Sequence, residues 1–212
     1  NGAFIKGADG SVIDKKDHPE VEGIRRLGAT SPLEVRIALA WAMHAKPIGA
    51  MKKFPDAVSF DVTSAYLQAS LDTADTEYYV TCTDEELLAA IWRITGMKWD
   101  MSRGKPYFRL KKALYGHPLA GDFWYWEFRT MLEVIEFVVV ESDEEKTVYR
   151  RHKCYDGEET LVAVLVIYVD DGFLISYDEN VTAEVKSLLE EQWHVRDWNL
   201  WSPDKADRFL AG

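Results

Sequence analysis

The residues best suited to chemistry are two adjacent carboxylates, Asp170 and Asp171, which directly follow a long apolar run at residues 161–169. Gly172 and a second apolar run, residues 173–175, come next, and a short Asp/Gly break between two apolar runs is typical of a β-hairpin. Neighbouring carboxylates repel each other, and burial would raise their pKa values. Either the turn is fully solvated, which is the commoner explanation for Asp in a turn, or a cation lies there.

A third carboxylate, Asp61, lies where a strand-like run at residues 58–62 gives way to a turn or helix. A lone Asp at such a point is more often a helix cap than a metal ligand. A hard divalent cation, however, takes carboxylates from separate segments, and polymerases use two such ions about 4 Å apart for in-line phosphoryl transfer. Asp61 with Asp170 and Asp171 is the ligand set that this chemistry needs.

Helices are predicted at four places in the chain. Behind a capping pattern that begins at Ser31, apolar residues recur at every fourth position, Val35, Leu39 and Met43, with Ala38 and Ala42 beside them. They predict a helix that ends before Pro47. The other helices are predicted after the capping pattern at residues 83–86, over about residues 120–133 and over about residues 182–193.

Strand-like runs lie between these helices, at residues 58–62, 78–81, 107–110, 137–140, 148–150, 161–169 and 173–175. The run at 161–169 is apolar almost throughout, as expected of a strand that is buried on both faces. The order along the chain is helix, strand, mixed insertion, helix, hairpin and helix. This order predicts an α+β fold.

The composition is that of a soluble globular protein. The chain is 47% hydrophobic and 29% charged. Its 212 residues are enough for one hydrophobic core, or for one domain with a smaller lobe. No apolar run is long enough to span a membrane, and the N-terminus has neither a signal-peptide pattern nor an initiator Met, which predicts a fragment. Only two cysteines are present, without a CxxC pair, which argues against a disulfide framework or a zinc site.

The net charge of −11 argues against a nucleic-acid-binding protein, because phosphate contacts need a basic face. Two local basic clusters, at residues 103–112 and 150–153, partly answer this objection. Both clusters are equally consistent with solvated surface. The net charge therefore does not decide whether the chain binds nucleic acid.

Several blocks, in the same order along the chain, resemble the reverse transcriptase of copia-type retrotransposons. The Tyr-Val-Asp-Asp hairpin resembles the catalytic turn of the reverse transcriptase palm. The remaining blocks lie at residues 60–69, 110–116 with Trp124 a few positions on, 136–137, 142–143 and 209–212. The resemblance as a whole extends over about residues 24–212.

This resemblance implies the right-hand fold of reverse transcriptases, with a palm of antiparallel sheet packed on helices and a fingers subdomain. Residues 1–212 would form a single domain fragment of fingers and palm, without the thumb or RNase H. The implied reaction is RNA-directed DNA synthesis, in which two Mg²⁺ ions, replaceable by Mn²⁺, promote transfer from a dNTP to a primer 3′-hydroxyl. Asp61 and Asp170 would be the principal ligands of both ions, Asp171 a supporting charge or further ligand, and the Val62 carbonyl an additional ligand.

The resemblance also assigns roles around the metal ions. Tyr66 matches a steric gate that excludes a 2′-hydroxyl, although a core aromatic is the alternative. The residues that match a block against the template and incoming nucleotide are Lys111, Lys112, Tyr115 and Gly116. Those implied on the primer and template side are Tyr168, Val169, Phe209 and Leu210. Lys205 and Arg196 are candidate proton donors to pyrophosphate, and both are equally consistent with exposed surface charges.

One segment departs from the family pattern. Many members continue Leu-Tyr-Gly with Leu-Lys-Gln, whereas this chain has His117-Pro118-Leu119, which puts the family's Gln contact with the nucleotide in doubt. His117 is favoured as a packing or surface residue over an acid or base.

The partners that the resemblance implies are an RNA template, a DNA primer, dNTPs, and the integrase and RNase H regions of a polyprotein, with no membrane. The implied location is intracellular, in a cytoplasmic particle and then the nucleus. One alternative is a non-catalytic remnant that serves as a scaffold or nucleic-acid clamp, which loss of the three Asp residues would mark. Another is an unrelated acidic α+β domain, which predicts no proximity of Asp61 to Asp170.

Overall fold

The computed structural model describes residues 5–6, 12–13, 32–49, 51–71, 77–100, 102, 104–117, 119–140 and 147–201. Its helices are α1 (Pro32–His44), α2 (Ala65–Gln68), α3 (Glu85–Thr95), α4 (Ala120–Val134) and α5 (Glu179–Gln192). Its strands are β1 (Ile5–Lys6), β2 (Val12–Ile13), β3 (Asp56–Val62), β4 (Tyr79–Thr81), β5 (Tyr107–Arg109), β6 (Val138–Val139), β7 (Val148–Tyr155), β8 (Glu158–Tyr168), β9 (Asp171–Ser176) and β10 (Val195–Trp201). None of the described helices combines the length and apolar character needed to cross a bilayer.

A six-stranded antiparallel sheet dominates the described part of the chain. Its strand order is β10-β3-β9-β8-β7-β6, and two short pairs, β1–β2 and β4–β5, lie outside it. β3 comes first of these six in the chain but lies between the late strands β9 and β10. The combination of helices with an antiparallel sheet confirms the α+β prediction.

The sheet is covered on both faces, which explains the apolar run of β8. Leu165 belongs to the main core, together with Phe128 of α4 and Val185 of α5. Val164 belongs to a second cluster on the opposite face, where Ala38 of α1 packs. Because neighbouring strand residues face opposite ways, β8 must be apolar at nearly every position. The expectation of a strand buried on both faces is confirmed.

The capping pattern at residues 83–86 correctly predicts a helix start, but the cap is one residue later than the Thr83 that a capping box would use. Asp84 is the N-cap, and its carboxylate accepts a hydrogen bond from the Leu87 amide at 2.9 Å. Gly96 ends the helix with a left-handed φ of 72°, a conformation that glycine adopts without steric strain. Leu87 is 52% exposed, and α3 contains no fully buried residue. The helix is therefore defined by its caps more than by burial.

Candidate active site

Four residues form a row across the sheet at one end of β3. Asp61 pairs directly with Asp171 of β9 on one side and with Arg196 of β10 on the other. Asp171 in turn pairs with Tyr168 of β8. Because directly opposed residues project to the same face of a sheet, these four side chains share one face. The row joins the two segments that the sequence predicted to meet.

The turn between β8 and β9 carries Asp170 to the same end of β3. The Val62 amide donates a hydrogen bond of 2.7 Å to the Asp170 carbonyl oxygen. On the other side of the turn, the Trp124 indole N–H donates to the Val169 carbonyl oxygen at 2.6 Å. Val169 itself has a φ of 55°, in the left-handed region. The turn is thus held from both β3 and α4.

The carboxylates of this row influence one another electrostatically. Partial burial, and then the charges on Asp170 and Asp61, raise the pKa of Asp171. Arg196 supplies a compensating charge, since its Nη2 lies 2.8 Å and its Nε 3.1 Å from Oδ1 of Asp61. Within the trio, this guanidinium bonds Asp61 and feels the charge on Asp170, so the site keeps an excess of negative charge that favours a cation.

The donor types suit a hard divalent cation, but the side chains do not yet surround one. Asp61, Asp170 and Asp171 offer carboxylate oxygens, the ligands that Mg²⁺ prefers. Among the described residues, however, no three His, Cys, Asp or Glu side chains are grouped closely enough to hold a metal ion. The chemistry of the donors fits a divalent cation, and Arg196 bonds Oδ1 of Asp61 in this arrangement.

Tyr66 lies beside this row, on the short helix α2 that follows β3. Its ring centroid is 5.5 Å from that of Tyr115. Burial raises the pKa of the Tyr66 phenol, and the nearby charge on Asp170 raises it further, followed by Tyr115 and Tyr168. Asp170 and three tyrosines thus cluster at one end of the sheet.

The Leu-Lys-Lys-Ala-Leu-Tyr-Gly block is held next to α2 by backbone hydrogen bonds. The Leu71 amide donates to the Lys111 carbonyl oxygen at 2.9 Å, and the Ala113 amide donates to the Ala69 carbonyl oxygen at 3.0 Å. Ser70 and Lys112 form an antiparallel bridge between these two bonds. Because this pairing follows α2 directly, it brings Tyr115 against Tyr66.

The other predicted residues of the block are on the surface. Lys111 and Lys112 are exposed, and Gly116 is exposed with a left-handed φ of 86°. His117 accepts a hydrogen bond from the Leu119 amide through Nδ1 at 3.2 Å, and its ring centroid lies 4.5 Å from that of Tyr78. These contacts support a packing role for His117.

Some predicted residues lie outside the described part of the chain. These are Lys205, Phe209 and Leu210, together with Ser142 and Asp143. Their predicted roles stay predictions.

Sequence reasoning missed three features of the site. It did not predict β10, so the pairing of Arg196 with Asp61 went unrecognised. It used Trp124 only as part of a block, without its hydrogen bond to the turn between β8 and β9. It also missed Asp122, whose charge contributes to the raised pKa of Tyr66. No local pattern signals any of these contacts, because each joins residues that are far apart in sequence.

The family described as "Reverse transcriptase (RNA-dependent DNA polymerase)" matches residues 50–203, well over half of the chain. A curated relative, the retrovirus-related Pol polyprotein from transposon RE1 of Arabidopsis thaliana, is 31% identical over 98 residues. That match covers 46% of this chain and 6% of the polyprotein.

A solved structure of telomerase from Candida albicans, in complex with the TWJ fragment of telomeric RNA, is also similar. It has 14% sequence identity and a TM-score of 0.39, and the match covers 84% of this chain and 31% of the telomerase chain.

The family match covers β3, the Tyr-Val-Asp-Asp turn and β10, the elements that build the row of Asp61, Asp171 and Arg196. The chain therefore belongs to the reverse transcriptase family and is a copia-type reverse transcriptase region.

Proposed function

We propose that this chain carries out RNA-directed DNA synthesis, transferring nucleotides from dNTPs to a primer 3′-hydroxyl on an RNA or DNA template. The observation that carries the proposal is the pairing of Asp61 with Asp171 across β3 and β9. Beside this pair, the Asp170 carbonyl accepts a hydrogen bond from the amide of Val62, which follows Asp61 in β3. Three Asp residues from two distant segments thus lie at the same end of one sheet. We also infer that the chain is part of a Pol polyprotein, as the transposon relative is.

Asp61 and Asp170 are the proposed principal ligands of two Mg²⁺ ions, with Asp171 as a supporting charge and the Val62 carbonyl as a further ligand. Ions held there would supply Lewis-acid chemistry, activation of the primer hydroxyl and neutralisation of charge on the leaving pyrophosphate. Burial is the main cause of the raised pKa of Asp171, and the charges on Asp170 and Asp61 add to it, which supports the assignment because it places the three residues near one another. We assign the six-stranded sheet with α4 and α5 to the palm. The fingers assignment stays a prediction.

Residues around the carboxylates have proposed roles toward the nucleic acid and nucleotide. Tyr66 and Tyr115 pack together next to Asp170, which suits a surface that contacts the sugar of the incoming nucleotide. Lys111 and Lys112 are exposed beside them and offer cations for phosphate groups. Tyr168, 47% exposed in the row of paired residues, would contact the primer end.

Primer extension on an RNA template in the presence of Mg²⁺ tests this proposal. Template-dependent extension that requires all four dNTPs is the expected result. A second measurement is the melting temperature with and without Mg²⁺, because a ligand that binds only the folded state stabilises it. Extension without template dependence, or no extension and no shift in melting temperature, would contradict the proposal.

A non-catalytic remnant, acting as a scaffold or nucleic-acid clamp, is the second candidate. The ion pair between Arg196 and Asp61 favours it, because this pair neutralises a proposed metal ligand with a protein cation. The remnant would bind a primer–template duplex without extending it, and Mg²⁺ would leave its melting temperature unchanged. The two measurements above therefore separate the candidates.

We expect Tyr66→Val to raise ribonucleotide incorporation relative to deoxyribonucleotide incorporation by about 10-fold, because a smaller side chain leaves room for a 2′-hydroxyl. Competitive incorporation of paired rNTP and dNTP substrates measures this ratio. Tyr66→Phe is the matched control and should retain the selectivity of the wild type, since it keeps the ring. Equal selectivity in the valine variant and the wild type would remove the gate assignment.

We expect Arg196→Gln to tighten Mg²⁺ binding by up to about 5-fold, the range that an exposed ion pair contributes. The guanidinium is largely exposed and competes with the cation for Oδ1 of Asp61. Titration of Mn²⁺ followed by electron paramagnetic resonance measures the affinity, with Arg150→Gln on β7 as the control for lost charge. Weaker metal binding in Arg196→Gln would show that Arg196 supports the site instead of competing for it.

A further inference from the structure

The Tyr-Val-Asp-Asp turn contains a residue in an unfavourable backbone conformation. Val169 has a φ of 55°, in the left-handed region that β-branched residues rarely adopt. Such a conformation persists only where surrounding contacts hold it. Asp170 follows immediately, so the direction of its carboxylate depends on this turn. The contacts that hold Val169 therefore matter for the site.

One of those contacts comes from α4. The Trp124 indole N–H donates to the Val169 carbonyl oxygen at 2.6 Å. Trp124 is only 3% exposed, and its ring centroid lies 4.6 Å from that of Trp193 and 5.6 Å from that of Phe128. Its packing leaves the indole little freedom, so the donor is fixed in position relative to the turn.

We infer that Trp124 is a positioning residue for the catalytic turn: its indole N–H holds Val169 in the left-handed conformation and so sets the direction of the Asp170 carboxylate. This inference rests on the proposed function. A buried Trp usually finds a hydrogen-bond partner, so an experiment must distinguish this positioning role from a purely structural role of the same hydrogen bond. The distinguishing feature is the partner, the carbonyl that directly precedes Asp170 in the turn, and not one in a helix or strand.

The first test compares hydrogen exchange in Trp124→Phe and Phe128→Leu. The first variant keeps an aromatic ring and loses the N–H, whereas the second disturbs the same cluster and keeps the N–H. The reporter is the Val62 amide, which donates to the Asp170 carbonyl. In Trp124→Phe, loss of one net hydrogen bond should raise the exchange rate of the Val62 amide about 5- to 10-fold, with the Leu165 amide as the internal reference. In Phe128→Leu, the exchange rate of the Val62 amide should not change.

The second test measures metal binding and turnover in the same variants. Loss of a residue that orients metal ligands typically lowers metal affinity or activity at least about 10-fold. Trp124→Phe should therefore weaken Mn²⁺ binding and lower kcat about 10-fold, with KM for dNTP changed less than about 2-fold. Phe128→Leu should keep the affinity and kcat of the wild type. If Trp124→Phe does not fold, replacement of Trp124 with 3-benzothienylalanine removes the N–H and keeps the ring size.

The outcomes separate the two proposals. Selective exchange at Val62 with weaker Mn²⁺ binding supports the positioning role. Identical behaviour of Trp124→Phe and Phe128→Leu in both tests overturns it. A wild type that neither binds Mn²⁺ nor extends a primer overturns the proposed function, and the exchange test alone then decides whether Trp124 holds the turn.

Discussion

Substitution of Asp170 by Asn is expected to lower the rate of primer extension by about 10³-fold or more, because a metal ligand contributes several kcal/mol to the transition state. Asn has nearly the same shape as Asp, and the Asp170 contact to Val62 uses the backbone carbonyl, which the substitution keeps. The fold should therefore survive. Burial is the main cause of the raised pKa of Asp171, and the charge on Asp170 adds to it. Removal of that charge relieves the repulsion, so the melting temperature in the absence of metal should be equal or higher.

Asp156→Asn is the matched control for this substitution. Asp156 is an exposed residue in the turn between β7 and β8 and has a left-handed φ of 52°, which Asn tolerates. The control makes the same chemical change in another hairpin turn and should extend primers like the wild type. Single-turnover extension with saturating Mg²⁺ measures both variants. Equal rates for Asp170→Asn and Asp156→Asn would exclude Asp170 from the reaction.

Gly172→Ala is expected to destabilise the protein by about 3 kcal/mol, the upper part of the range for overpacking a core. Gly172 of β9 pairs directly with Phe60 of β3, and a Cβ at this position would overlap the Phe60 ring. That ring cannot move away easily, because it is 2% exposed and stacks on Trp198, with ring centroids 5.4 Å apart. The strain would push β3 and β9 apart next to Asp61 and Asp171.

Urea unfolding measures the change in the free energy of unfolding. The double variant Gly172→Ala with Phe60→Leu should recover part of the lost stability, because the smaller side chain frees the space that the new methyl group needs. Phe60→Leu alone gives the reference for the lost packing. Additive losses in the double variant would show that steric overlap with Phe60 is not the cause.

The hairpin and its two carboxylates could be predicted from the sequence because their signal is local. The apolar run of β8 and the Asp-Asp-Gly break stand next to each other in the chain, so strand, turn and strand follow from neighbouring residues. The strand runs longer than predicted at its start, since β8 begins at Glu158 after the Asp156-Gly157 turn. That Asp-Gly pair is itself a hairpin signal that the prediction did not use.

The buried face of α1 shows where a periodic pattern is ambiguous. The spacing of Leu39 and Met43 correctly predicts a helix, but these side chains are 40% and 76% exposed, whereas Ala38 is 3% exposed. The face of α1 that packs onto the sheet consists instead of Ala38, Trp41 and Ala42. Helical periodicity fixes the type of element, and the choice of buried face depends on the partner surface.

β10 could not be predicted because a bulge breaks its alternation. The register with β3 shifts between Arg196 and Asn199, and Asp197 in the bulge has a left-handed φ of 55°. A strand pattern with period two fails across such a shift. The contact that β10 makes with the site, between Arg196 and Asp61, joins residues 135 positions apart. Only the tertiary fold brings them together.

The position of β3 between β9 and β10 also affects how the chain folds during synthesis. At about 5–20 residues per second, β3 leaves the ribosome roughly 5–30 s before its two partner strands. During this interval Val58, Phe60 and Val62, all buried in the finished sheet, belong to a strand with two open edges. Nascent chains stalled before β9 should therefore bind chaperones that recognise apolar strands, and release should follow the emergence of β10.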